Sequence, residues 1–234
     1  GQDFKAFVGM RHWHPFIKDT LAEMCDQGIE RAVGMVMAPH YSRLSIEAYF
    51  KKVEEANSDI QVARIDNWHL LPEYLNALAR RVRSALERFP ESERADVPIV
   101  FTAHSLPERI LEWDDPYPKQ LRATVDGVMW VLGSHPHEFA FQSAAISKEP
   151  WLGPDASELI NLFADEGKRD ILICPIGFVC EHVEILYDID IVYQSLAKTL
   201  GVRLERIDML NDEPEMISGL AQLVSDTAKE QNWL

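Results

Sequence analysis

His104 closes the apolar run VPIVFTAH and is followed by Ser105, Leu106 and Pro107, so its imidazole is expected to point into a cleft at the end of a strand. A histidine there can ligate a metal or move a proton near neutral pH. Further along, the run PIGFVCEHVEILYDID places Glu181, Glu184 and Asp188 at spacings of three, four and seven. A helix starting near residues 179–181 would stack these carboxylates on one face. Like charges so placed destabilise one another unless they face a cation, a proton relay or water. Val183, Ile185, Leu186, Ile189 and Ile191 occupy the remaining sides and predict a helix buried nearly all round, where carboxylates need partners. Histidine with carboxylates is a borderline-to-hard ligand set, suited to Fe(II), Zn or Co. No HxxxH or HExxH helix motif is present, and a conventional zinc site wants three tight protein ligands. A transient metal site fits better than a permanent one.

Three other groups fall where strands are expected to end: Arg11, His12 and His14 after FKAFVGM, Pro39 and His40 after RAVGMVMA, and Phe141 just before Gln142 and Ser143. Arg11 can supply the local cation that an anionic substrate requires in so acidic a chain. The Arg11-His12 pair has its counterpart in the histidine phosphatases, but their signature continues with Gly and this chain has Trp13. Phe139, Trp130 and Trp151 read as core aromatics around the run EFAFQSA.

The elements that must position these residues form a βα array. FKAFVGM, RAVGMVMA, QVARIDN, VPIVFTAH, EFAFQSA, DILICPIG and VRLERIDM are each followed by a stretch of helical periodicity. Near-continuous apolar runs such as Ile171 to Cys174 suit parallel strands covered on both faces. In such sheets ligands bind beyond the carboxyl ends of the strands. A helix is expected from Leu71 to Phe89, and the polar stretch FPESERADVP marks a boundary. The expected organisation is an α/β domain over residues 1–92, a second over 93–211, and a terminal segment 212–234 whose helix starts near Pro214 and packs on either half.

The chain has 234 residues, 23 basic and 38 acidic, for a net charge of −15. Such a charge repels nucleic-acid backbones and anionic lipid surfaces. No apolar run approaches the roughly 18 residues of a membrane span, and GQDFKAFVGM lacks the features of a signal peptide. Cys25, Cys174 and Cys180 are an odd number without CxxC spacing, as for reduced thiols. A soluble, cytoplasmic protein is expected.

Taken together, VGMRHWHPF, FTAHSLPERI with DPYPKQL, FQSAAISKEPWLGPD and GFVCEHVEILYDID closely resemble the ferrochelatases, in that family's order across nearly the whole chain. The resemblance implies two similar Rossmann-like α/β domains with parallel four-stranded sheets and a porphyrin cleft between them. It implies insertion of Fe(II) into a porphyrin in haem synthesis, with protoporphyrin IX and coproporphyrin III both fitting as substrate. His104 matches the family's essential histidine and Glu184 its partner carboxylate. Asp188 continues the acidic path, Arg11 falls at a basic cleft position, and Tyr49 and Phe141 fall at porphyrin-contacting positions. Iron enters as substrate, and no tightly bound cofactor is expected.

Three departures qualify the match. The family's chains begin with a further strand, helix and cleft-lip segment before FKAFVGM. Phe141 stands where Trp is common, and Val192 where an acidic residue usually extends the path. The cysteines that hold an iron-sulfur cluster in some members are missing, so no cluster is expected. A cobalt or nickel chelatase of the same fold, and a porphyrin- or metal-binding fragment without turnover, are the alternatives. No oligomeric state follows from the sequence.

Overall fold

The computed structural model describes residues 4–234, so residues 1–3 of the opening segment lie outside the described residues. Among the described residues six strands form, all in parallel pairs. β1 (Arg31–Met35) pairs with β2 (Gln61–Ile65), while β3 (Ile99–His104), β4 (His137–Gln142), β5 (Asp170–Pro175) and β6 (Arg203–Arg206) form a second sheet in the order β4-β3-β5-β6. Helices α1 (Ile17–Asp26), α2 (Ile46–Glu55), α3 (Pro72–Leu86), α4 (Tyr117–Leu132), α5 (Ala156–Asp165), α6 (Gln194–Leu200) and α7 (Pro214–Glu230) alternate with them, and a π-helix spans Ile185–Tyr193.

The apolar strands are two-faced, as parallel strands between helical layers must be. Ile99, Phe101 and Ala103 pack with α3, α4 and α7, while Val100, Ile171 and Ile173 pack with α5, the π-helix and α6. Val33 and Met35 lie against the first of these cores; on the other face of β1 and β2, Ile17, Leu21 and Met24 of α1 pack with Ile60, and Ala32, Val62 and, from α2, Tyr49 and Val53 lie against them. Helix α7 packs on α3 and reaches β1 and β2. Its start is tied to α3 by Glu213, which pairs with Arg80 and Arg81.

Three expectations are corrected. FKAFVGM is not a strand. Among the described residues it has no ladder partner, and the start of α1 satisfies its backbone instead: Thr20 Oγ1 donates to the Val8 carbonyl at 2.7 Å and Ile17 N–H to that of Met10 at 3.1 Å. The first sheet is consequently two-stranded among the described residues, and only the second has four strands. Trp130 is not core either: it stands 90% exposed near the end of α4.

Candidate active site

The order of the second sheet locates the cleft. From β3 the chain moves outward to β4, whereas from β5 it moves the opposite way to β6. The gap between the carboxyl ends of β3 and β5 is therefore the switch point where open parallel sheets bind ligands. His104 is the last residue of β3, and the segment 177–184 leaves β5 beside it.

Gly177 makes this closeness possible. Its N–H and that of Ile176 both reach the Thr102 carbonyl, at 3.3 and 2.8 Å. The loop then bends into the π-helix, and Glu184, immediately before it, places its Oε2 3.6 Å from Nε2 of His104. The two side chains keep 33% and 36% of their surface exposed, so the pair faces the cleft while the strand beneath is buried. Nδ1 of His104 makes a short hydrogen bond to the Ser105 carbonyl. A carbonyl only accepts, so Nδ1 carries the proton in the neutral ring and Nε2 presents its lone pair toward Glu184.

Rings enclose the histidine. Trp151 and Phe178 each lie 6.4 Å from it between centroids, and Phe178 in turn lies 5.4 Å from His182. His182 Nδ1 accepts from the Glu184 backbone N–H at 3.3 Å and stands 3.8 Å from its carboxylate. Glu184 thus sits between two imidazoles. Trp151, read from the sequence as core, is a wall of this site.

Asp188 follows on the π-helix and accepts a short hydrogen bond from Ser143 Oγ. Ser143 adopts a left-handed backbone, φ 62°, directly after Gln142, which pairs with His104 across the ladder. Gln142 is buried and held by Thr102 Oγ1 at 2.7 Å. The ends of β3 and β4 therefore meet the same helix, one through Glu184 and the other through Asp188. Beyond Asp188, the buried phenol of Tyr193 has its pKa pushed well up by burial and by the nearby Asp155 and Asp188, so it stays protonated.

Glu181 does not join this face. It precedes the helix, its N–H donates to Asn211 Oδ1 at 2.9 Å, and its carboxylate pairs with Arg206 at 3.1 Å. Arg206 also holds Asp190 at 2.7 Å, so one partly buried cation takes two carboxylates away from the site. Nor is the helix buried all round. Ile185, Ile189 and Tyr193 face the core, while Val183, Leu186, Tyr187, Ile191 and Val192 are exposed. Among the described residues no group of three or more His, Cys, Asp or Glu side chains is arranged to hold a metal ion.

Arg11 and Tyr49 form a second cluster, the guanidinium lying over the ring at 5.3 Å and donating to the Leu44 carbonyl at 3.5 Å. Phe141 is only 6% exposed and packs edge-on against Phe139 at 5.0 Å between centroids, beneath the site. His40, a strand-end candidate, is buried against Thr124 Oγ1 at 2.8 Å. Burial and the neighbouring His69 push its pKa down to about 3.

Comparison with known proteins places this geometry in context. The chain is 42% identical over 226 residues to a ferrochelatase of Herpetosiphon aurantiacus, covering 95% of this chain and 74% of that one. It is 44% identical to a ferrochelatase of Deinococcus radiodurans over 98% of this chain and 75% of the relative. A coproporphyrin III ferrochelatase of Geobacillus kaustophilus is 38% identical over 95% of this chain and 72% of its own length. Among solved structures, SirB from Bacillus subtilis with Fe3+ superposes with a TM-score of 0.66 at 12% identity, covering 94% of this chain and 80% of that one, a likeness of fold. Among the described residues no helix is long and apolar enough to cross a membrane. The family model for ferrochelatase matches residues 1–228, and the chain belongs to the ferrochelatase family.

Proposed function

We propose that this ferrochelatase carries out insertion of Fe(II) into a porphyrin over the His104–Glu184 pair. The reaction exchanges two pyrrole protons for one ferrous ion, so it needs a proton acceptor facing the macrocycle and a route for a desolvating cation. The observation that carries the assignment is the 3.6 Å separation of Nε2 and Oε2. Both atoms are acceptors while the imidazole is neutral, so no hydrogen bond joins them until a proton arrives. A pyrrole proton taken by Nε2 completes that bond and the carboxylate stabilises the imidazolium; Glu184 then passes that proton by way of Asp188 to water, which frees Nε2 to take the second.

Glu184 and Asp188 offer oxygen ligands to the ion, and Nε2 of His104 supplies nitrogen only until it takes a pyrrole proton, a set suited to Fe(II). Ligands spread along a helix, rather than converged into a cage, suit a metal that is handed on. Arg11 over Tyr49 supplies a cation and an aromatic face for the anionic, flat substrate. Phe141, buried against Phe139, offers the substrate little surface.

The test is anaerobic mixing of the chain with Fe(II) and, in separate runs, protoporphyrin IX and coproporphyrin III, following the change from free-base to metalloporphyrin absorption. His104→Ala should lose insertion by about a hundredfold or more while keeping most porphyrin affinity, since it removes chemistry rather than contact area. Equal loss of affinity and rate would overturn the role assigned to His104. The porphyrin metallated faster identifies the substrate.

A further inference from the structure

The segment DPYPKQL opens α4, and no part of it lies among the residues assigned above to metal or porphyrin. Four consecutive residues of the loop after β1 nevertheless end on it or, for His40, on the next turn of α4. His40 Nε2 meets Thr124 Oγ1 at 2.8 Å, Tyr41 N–H donates to Gln120 Oε1 at 2.7 Å, and Ser42 Oγ and Arg43 N–H both donate to Asp115 Oδ2, at 3.1 and 2.8 Å. The other oxygen of Asp115 accepts from Tyr117 N–H at 3.0 Å, and the Tyr117 hydroxyl donates to the His104 carbonyl at 2.9 Å. Ser42, Asp115 and Tyr117 are all buried.

The next residue of the loop, Leu44, accepts from Arg11, and α2 then begins and carries Tyr49. A continuous hydrogen-bonded path thus runs from the Arg11–Tyr49 cluster through Asp115 and Tyr117 to the backbone of His104. We propose that Asp115 and Tyr117 are positioning residues, which set His104 in register with the loop that supports the porphyrin-contacting cluster. The inference rests on the reading of His104 as the proton acceptor.

The chemistry of each member suits the task. Buried Asp115 is satisfied by three donors, which supports a carboxylate there without a cationic partner. The Tyr117 phenol remains a donor, because burial and the charge of Asp115 both oppose its ionisation. Its acceptor lies next to the peptide that matters: Ser105 N–H donates to the Gln142 carbonyl at 2.7 Å, and the Ser105 carbonyl fixes the imidazole. Releasing the His104 carbonyl lets that turn rotate and moves Nε2 away from Glu184.

Tyr117→Phe, Asp115→Asn, the double variant, His104→Ala and the core control Val128→Ala are to be compared by steady-state insertion kinetics, porphyrin titration and thermal melting. Tyr117→Phe should lower kcat about tenfold, as for one lost orienting hydrogen bond, with KM for porphyrin within about twofold. The double variant should fall no further than Asp115→Asn alone, because both act through one path. Val128→Ala should melt lower yet keep its kcat, which separates positioning from general destabilisation. Parental kcat in Tyr117→Phe overturns the proposal, as does an equal kcat loss in Val128→Ala. Full activity in His104→Ala overturns this and the reading of His104 together. An inactive His104→Ala beside a fully active Tyr117→Phe overturns the positioning role alone.

Discussion

A Cβ placed on Gly177 would stand 2.8 Å from the Cβ of Ala103 and 3.1 Å from its Cα, so the loop leaving β5 touches β3 one residue before His104. Two strand ends share the space that one side chain would fill. Gly177→Ala must push β3 and the loop apart, and overpacking of this kind costs about 1–3 kcal/mol. The displacement falls on the separation of His104 from Glu184. Insertion should drop several-fold more than porphyrin affinity, which steady-state kinetics beside fluorescence titration would reveal.

Glu184→Gln makes a sharper chemical change in the same volume. An amide can donate to Nε2 of His104 and occupy the lone pair that the carboxylate leaves free. Insertion should fall by about two orders of magnitude, the scale of a lost acid–base partner, with porphyrin binding retained. Anaerobic metallation at saturating porphyrin tests it, and activity within threefold of the parent would remove Glu184 from the mechanism.

Ser143 ties Asp188 to the end of β4, from a backbone conformation that disfavours any residue with a Cβ. Ser143→Ala keeps that strain and loses the hydrogen bond, whereas Ser143→Gly loses the bond and relieves the strain. The glycine variant should therefore be the more stable by about 1 kcal/mol in urea unfolding. Both should need several-fold more Fe(II) to reach half-maximal rate, because Asp188 is free to rotate in each.

Acid stability follows from His40. Its folded pKa, pushed from 6.5 to about 3 by burial and by His69, means that the unfolded chain binds a proton there which the folded chain refuses. Stability is present in full above pH 6.5 and falls as the pH drops through the window between 6.5 and 3, by about 1.4 kcal/mol per unit. His69 acts in the same direction. Unfolding free energies from urea titrations at pH 7 and pH 5 should differ by about 2 kcal/mol from His40 alone, and His40→Gln should be less stable at pH 7 yet flatter across that interval.

The central strands β3 and β5 of the second sheet are legible from their apolar runs because burial on both faces leaves no other residue choice, and His104 can be placed because a polar residue ending such a run has only the cleft to enter. The proximity of Glu184 could not be derived from spacing; it came with the family resemblance, and the turn at Gly177 is what brings it about. Glu181 was misplaced because its partner, Arg206, comes from β6, and periodicity along one helix carries no record of a cation arriving from a remote strand. The segment FKAFVGM has the composition of a strand, but a strand also needs a neighbour to pair with, which composition does not supply. DPYPKQL was visible as a motif without a task, since Ser42, Arg43 and His104 reach it from separate parts of the chain. Porphyrin chemistry itself is not written in any spacing and entered through likeness to relatives.

The nine residues from Ile185 to Tyr193 are wound with i→i+5 hydrogen bonds, one more residue in each closed ring than an α-helix holds. Deleting Leu186 or Tyr187, both exposed and both between Glu184 and Asp188, would let the stretch rewind to the tighter form and turn everything beyond the deletion about the axis. Glu184 would stay beside His104 while Asp188 swung out of reach of Ser143. The alignment of this acidic path is thus encoded in how many residues the helix contains, so a length change with no loss of any carboxylate should disconnect it.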